Sequence, residues 1–163
     1  MPKRVAVLTG GWSEERAVSL VSGSECAAAL REAGYAVNEI DVTRDMVALM
    51  AALTPRPDAV FNALHGRYGE DGCIQGLLDM MGVPYTHSGV LASALAMDKV
   101  IAKRIFQSAG IPVVDGTVAS REEILTGAAI KRPCVVKPVR EGSSVDVFIL
   151  FEDEPLPFRE DNW

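Results

Sequence analysis

Three short apolar runs, at residues 5–9, 37–42 and 59–64, alternate with two stretches of helical spacing, and this restricts the fold more than any other feature. Runs this short and this apolar read as strands of a parallel sheet buried on both faces. Between the first two, Leu20, Gly23, Ala27 and Leu30 fall on one helical face, which Gly34 closes. A short helix is expected over 46–53, then a turn over 55–58 that leads into the third strand. The order β-α-β-α-β predicts a doubly wound, Rossmann-like α/β half. Ligands of such a half sit where strands give way to helices.

The first strand runs into Gly10-Gly11-Trp12-Ser13, followed by Glu14 and Glu15. Ser13 is the expected N-cap, and acids in a first turn suit the helix dipole. A dinucleotide site would want G-x-G-x-x-G here; that pattern is missing, and two carboxylates would repel a pyrophosphate. The third strand spills into His65-Gly-Arg-Tyr-Gly-Glu-Asp-Gly72. Gly66, Gly69 and Gly72 let the backbone turn sharply or approach a ligand closely. Beyond them Ile74, Leu77, Leu78 and Met81 recur at i, i+3, i+4 and i+7, the buried face of a helix.

A boundary is expected near residues 96–98. Asp98 can cap a helix carrying Ile101, Ala102, Ile105, Phe106 and Ala109 on one face, closed by Gly110 and Pro112. A strand near 117–119, a short helix over 122–125 and a hairpin of 134–138 with 145–150 follow. The hairpin loop, Val139-Arg-Glu-Gly-Ser-Ser144, is small and rich in Gly and Ser. Such a loop can bring amides and hydroxyls close to phosphate oxygens, while Lys137 and Lys99 add positive charge.

At 163 residues and 48% hydrophobic, the chain is long and apolar enough to fold. A net charge of −6 argues against nucleic acid, which demands a basic face, but leaves an anionic nucleotide possible through local lysines and amides. Cys26, Cys73 and Cys134 are widely spaced without a C-x-x-C, the pattern of reduced structural thiols. With His65 and His87 the sole histidines, a His/Cys zinc site is not expected. Neither a signal peptide nor an apolar run long enough for a bilayer is visible, so a soluble cytoplasmic protein without membrane partners is expected.

Five ordered segments then carry a more specific signal. They are Gly10-Gly-Trp-Ser-Glu-Glu-Arg-Ala-Val-Ser-Leu20, His65-Gly-Arg-Tyr-Gly-Glu-Asp-Gly-Cys-Ile-Gln-Gly-Leu77, Pro84-Tyr-Thr-His-Ser-Gly89, Ala92-Ser-Ala-Leu-Ala-Met-Asp-Lys99 and Lys137-Pro-Val-Arg-Glu-Gly-Ser-Ser-Val145. Together they resemble D-alanine–D-alanine ligase, an ATP-grasp enzyme of peptidoglycan precursor synthesis. The resemblance implies a Rossmann-like N-terminal (pre-ATP-grasp) substrate domain over 1–96 and a partial ATP-grasp subdomain over 97–163. It implies ATP-dependent joining of two D-alanines through an acylphosphate.

By the same resemblance, Glu15 holds the ammonium of the first D-alanine, His65 lies beside that substrate and Glu70 anchors the loop. Lys99, Lys137, Glu141, Gly142, Ser143 and Ser144 would hold the nucleotide's phosphates, and Ser143 would work with Glu15 in catalysis. Mg²⁺ is expected as a cofactor, with no ligand to it in this chain. His87 and Asp146 stand where the family has glycine; a carboxylate at Asp146 would disfavour close approach of phosphate, and a positive φ there would be costly. The family continues for about the same length again. This chain is therefore expected to be the N-terminal half, inactive alone, with uncovered apolar surface and a homodimeric state. Two alternatives remain at this stage: a non-enzymatic binding or dimerisation module, and a ligase with a different second substrate such as D-lactate.

Overall fold

The computed structural model describes residues 1–127, 131–142, 146–152 and 155–157. The chain divides into two compact units, Met1–Met97 and Asp98–Trp163.

In the first unit the chain runs β1 (Arg4–Gly10), α1 (Arg16–Glu32), β2 (Ala36–Val42), α2 (Met46–Ala52), β3 (Ala59–Asn62), α3 (Cys73–Met80) and α4 (Val90–Met97). The strands form one parallel sheet of order β2-β1-β3, as the alternation of runs and helical spacing requires. Val5 faces Val37 on one side and Ala59 on the other, and Val60 makes a further parallel bridge to Tyr85. Because side chains alternate along a strand, β1 feeds two cores. Ala6 and Leu8 join Ile40, Leu49, Leu53, Val60 and Leu78, whereas Val5 and Val7 join Ala27 and Ala63. Leu8, Val7, Val60 and Leu78 are fully buried.

Two local expectations shift. Ser13 is not the N-cap of α1: Glu15 holds that position, without a capping side chain, and no acid lies in the first turn. The helix starts later because Ser13 is engaged in the turn, its carbonyl accepting the Arg16 N–H at 3.1 Å. The buried face of α1 is Ser19, Gly23 and Ala27, with Leu20 exposed. Burial of the Ser19 hydroxyl is compensated by its hydrogen bond to the Ala63 carbonyl at 2.7 Å.

The second unit holds α5 (Lys99–Ser108), α6 (Arg121–Leu125) and the antiparallel pair β4 (Cys134–Val136) and β5 (Phe148–Leu150). Asp98 caps α5, its carboxylate accepting from the Val100 and Ile101 amides at 3.0 and 3.1 Å. Ser120 and Glu123 close a reciprocal capping box on α6. A small core gathers Ile124 and Leu150 with Leu125, Cys134, Val136 and Phe148. The strand expected near 117–119 is an irregular segment, since a three-residue run finds no pairing partner there. The hairpin forms, but β5 is shorter than expected, and residue 145 lies outside the described residues. Among the described residues, no helix is long and apolar enough to cross a membrane.

Candidate functional site

The site in the first unit grows from the C-terminal ends of β1 and β3, where two glycine-bearing turns meet. Ser13 ties them together: its hydroxyl donates to the His65 carbonyl at 2.8 Å and accepts the Glu15 N–H at 3.3 Å. Arg16 braces the first turn by donating to the Gly11 carbonyl at 2.9 Å and to both Asp41 oxygens at 2.8 Å. That fork raises the Arg16 pKa and holds the Asp41 carboxyl below its ordinary value.

Glu15 is 4% exposed at the head of α1. Gly66, at φ 66°, lies against it so closely that a Cβ would run into Glu15 Oε2, with Ser13 Cβ also only 3.3 Å away. Only glycine meets both the left-handed backbone and that approach. Gly72 is likewise left-handed, at φ 96°, and an added Cβ would sit 2.8 Å from the Val90 carbonyl. Gly69 is confined by Leu64 rather than by its φ.

The second turn is held from inside. Glu70 Oε2 accepts the Gly66 N–H at 2.6 Å, a bond within the turn. The Gly69 carbonyl accepts from two buried amides, Asn62 Nδ2 at 2.8 Å and Gln75 Nε2 at 2.9 Å. Asn62 also takes the Leu64 N–H on Oδ1 and gives its own N–H to Thr86 Oγ1. His65 lies 3.1 Å from Ser22 Oγ through Nε2 and 3.9 Å from Glu70 Oε1 through Nδ1. Glu15, His65 and Glu70 therefore belong to one local structure.

Asn62, Gln75, Ser13 and Ser22 were not read as site residues from sequence. For Asn62 a signal existed, an amide inside an otherwise apolar strand run; for the others none stood out. His87 and Asp146 do adopt left-handed backbone, at φ 89° and 52°. His87 is steadied by Asn62 Nδ2, 3.4 Å from its Nδ1.

An apolar cleft of about 320 Å³ adjoins the turns, with Trp12, Val42, Met46, Leu64 and Leu77 in its wall. Trp12 and Tyr68 pack with ring centroids 5.0 Å apart, and Arg44 and Arg67 lie over the two rings at 5.8 and 4.8 Å.

The second unit carries Lys99 and Lys137. Lys99 Nζ donates to the Glu141 carbonyl at 2.5 Å and to the Val139 carbonyl at 3.3 Å, and the Lys99 N–H also reaches Val139. Arg140 Nε bonds Asp98 Oδ2 at 3.0 Å. Burial lowers the Lys99 pKa, and the nearby charge of Lys137 lowers it further against the opposing pull of Glu141 and Asp98. Lys99, Lys137 and Glu141 thus share one neighbourhood, with Gly142 next to Glu141 in sequence; Ser143 and Ser144 lie outside the described residues. Among the described residues no group of three or more His, Cys, Asp or Glu is placed to hold a metal.

The first unit is a parallel α/β half, with its polar turns at the carboxyl ends of the strands, where such sheets place ligands. A family model described as the D-ala D-ala ligase N-terminus matches residues 49–88. The chain is 62% identical over 152 residues to the D-alanine–D-alanine ligase of Acidiphilium cryptum, covering 93% of this chain and 50% of that protein. To the Rhodospirillum rubrum ligase it is 59% identical over 165 residues, covering 100% of this chain and 55% of that one. A crystal structure of the Bacillus anthracis ligase superposes with TM-score 0.74 at 36% identity, over 92% of this chain and 50% of its own. The same enzyme complexed with ATP gives 0.71 at 34%. The chain matches the N-terminal half of D-alanine–D-alanine ligases. It spans about half the length of the curated relatives it matches.

Proposed function

We propose that this chain supplies the first-substrate site, and part of the phosphate-binding site, of a cytoplasmic ligase that joins two D-alanines at the expense of ATP for peptidoglycan synthesis. One observation carries the reading: the buried Glu15 carboxylate heads α1 against Gly66, on the same paired turns as His65 and Glu70. A carboxylate in that position selects an ammonium and repels the carboxylate that must react. Glu15 would hold the first D-alanine by its amine, His65 would flank it and Glu70 would keep the turn in shape.

In the second unit burial, and after it the neighbouring ammonium group of Lys137, disfavour the charged form of Lys99, an arrangement that an anion relieves. These residues fit a phosphate group. Lys99 and Lys137 would offset its charge, and the backbone of Glu141 and Gly142, together with Ser143 and Ser144, would approach it. ATP when bound supplies the phosphoryl group that turns a poor electrophile, the carboxylate, into an acylphosphate. Mg²⁺ when bound would offset phosphate charge, and among the described residues no group of three or more His, Cys, Asp or Glu is placed to hold it. Nucleic acid and membrane have no part in the proposal, and a homodimer is its expected state.

The test is D-alanine binding by calorimetry, run beside D-alanine-dependent phosphate release from Mg-ATP. Binding of D-alanine over L-alanine, weakened about 10-fold or more in Glu15→Gln, is expected. Turnover by the chain alone is not. Absence of D-alanine binding would overturn the ligase reading in favour of a non-enzymatic module.

A further inference from the structure

Resting on that reading, we propose that Ser22 is a positioning residue for the first substrate. It takes the Nε2 proton of His65 and so leaves Nδ1 as an acceptor for the substrate's ammonium. Ser22 lies on α1, one helical turn beyond the buried Ser19 and two beyond the buried Glu15. Its hydroxyl has three neighbours: the Val18 carbonyl at 3.0 Å, the Ser19 carbonyl at 3.4 Å and His65 Nε2 at 3.1 Å. A hydroxyl has one proton to give. Carbonyl oxygens can only accept, and the back-bond to the residue four positions earlier is the habitual bond of a helical serine. With that proton committed to Val18, Ser22 Oγ meets His65 Nε2 through a lone pair, and the nitrogen must carry the hydrogen.

A neutral imidazole has one N–H, so Nδ1 is then bare. Its nearest charged neighbour fits this assignment. Glu70 Oε1 stands 3.9 Å away, beyond hydrogen-bond reach, while Glu70 Oε2 is occupied by the Gly66 amide. The turn therefore offers acceptors: the Glu15 carboxylate beside Gly66, the Glu70 carboxylate and His65 Nδ1. A primary ammonium brings three N–H donors and no lone pair. The opposite tautomer would place an N–H among them and repel it.

The experiment is a long-range ¹⁵N–¹H correlation on ¹⁵N-histidine-labelled protein at about pH 8, where an ordinary imidazole is neutral. The chain has two histidines, His65 and His87, and a His87→Asn variant assigns the signals. The proposal expects His65 as the Nε2–H tautomer with a slowly exchanging Hε2. That protection should be lost in Ser22→Ala and restored in Ser22→Thr, which keeps the hydroxyl. Alanine is a strong helix former, so loss of the helix does not confuse the result. An Nδ1–H tautomer, or Hε2 exchange unchanged in Ser22→Ala, overturns the proposal. D-alanine titration of the same samples should show affinity falling about 3- to 10-fold in Ser22→Ala, the weight of one hydrogen bond. Unchanged affinity refutes the positioning role. Failure of the unaltered chain to bind D-alanine, with the tautomer as stated, refutes the ligase reading instead and with it the ammonium assignment.

Discussion

The two units contrast in how they satisfy their helices. In Met1–Met97 the sheet is covered on both faces, and α1, α2, α3 and α4 each bury at least one residue. In Asp98–Trp163, α5 is capped by Asp98, which α1 and α3 have no equivalent of, and carries the apolar set Ile101, Ile105 and Phe106, yet none of its residues is buried. Ile105 and Phe106 are 40% and 47% exposed, and Val135 and Ile149 of the hairpin are also exposed. Capping and amphipathic spacing thus determine that a helix forms, whereas burial determines whether it contributes stability. The first unit should carry most of the chain's resistance to unfolding.

The largest effect expected from this contrast is at Leu8, fully buried in β1. Leu8→Ala should cost about 2–5 kcal/mol in denaturant unfolding, whereas Ile105→Ala on α5 should change it little. Equal effects would break the contrast. Hydrogen exchange should agree, with β1 amides the slowest and α5 amides opening far more readily.

Gly66→Ala comes next, at about 1–3 kcal/mol for the left-handed backbone alone, and its added methyl should also displace Glu15 and abolish D-alanine binding. Retained binding would mean that Glu15 tolerates displacement. Asn62→Ala removes one of two donors to the Gly69 carbonyl and should cost about 1–3 kcal/mol by chemical denaturation.

The smallest effect is electrostatic. Arg16 holds the Asp41 carboxyl low, so the folded state binds fewer protons than the unfolded chain near the ordinary aspartate pKa of about 4. The contribution is full above that pH and fades as pH falls through the lowered folded value. Both side chains are nearly half exposed, so screening makes it small, and salt should shrink it further. Asp41→Asn should flatten this part of the acid limb, as measured by thermal melts across pH.

Much of the first unit was legible because continuous apolar runs have one economical solution, a parallel strand covered on both faces. The end of α5 was equally plain from Gly110 and Pro112. The face of α1 was misjudged at Leu20 and Ser19, since a buried serine with a carbonyl partner looks polar in sequence. The irregular 117–119 segment shows the limit of propensity: a strand needs a neighbour, and sequence does not name one. Glu15, His65 and Glu70 were legible through a resemblance, not through chemistry visible in the residues alone. Ser22 reaches His65 across 43 positions and Asn62 reaches Thr86 across 24, and no local pattern records such pairings.

The packed pair Trp12 and Tyr68 gives the first unit an optical reporter of its own. At 5.0 Å between ring centroids, light absorbed by the tyrosine passes efficiently to the indole, and the Arg44 guanidinium above Trp12 tunes the colour of its emission. The two rings come from the two turns that meet around Glu15 and His65. Replacing Trp163, the other indole in the sequence, with phenylalanine would leave Trp12 as the single emitter. Its spectrum would then follow the separation of those turns in real time, without any attached dye.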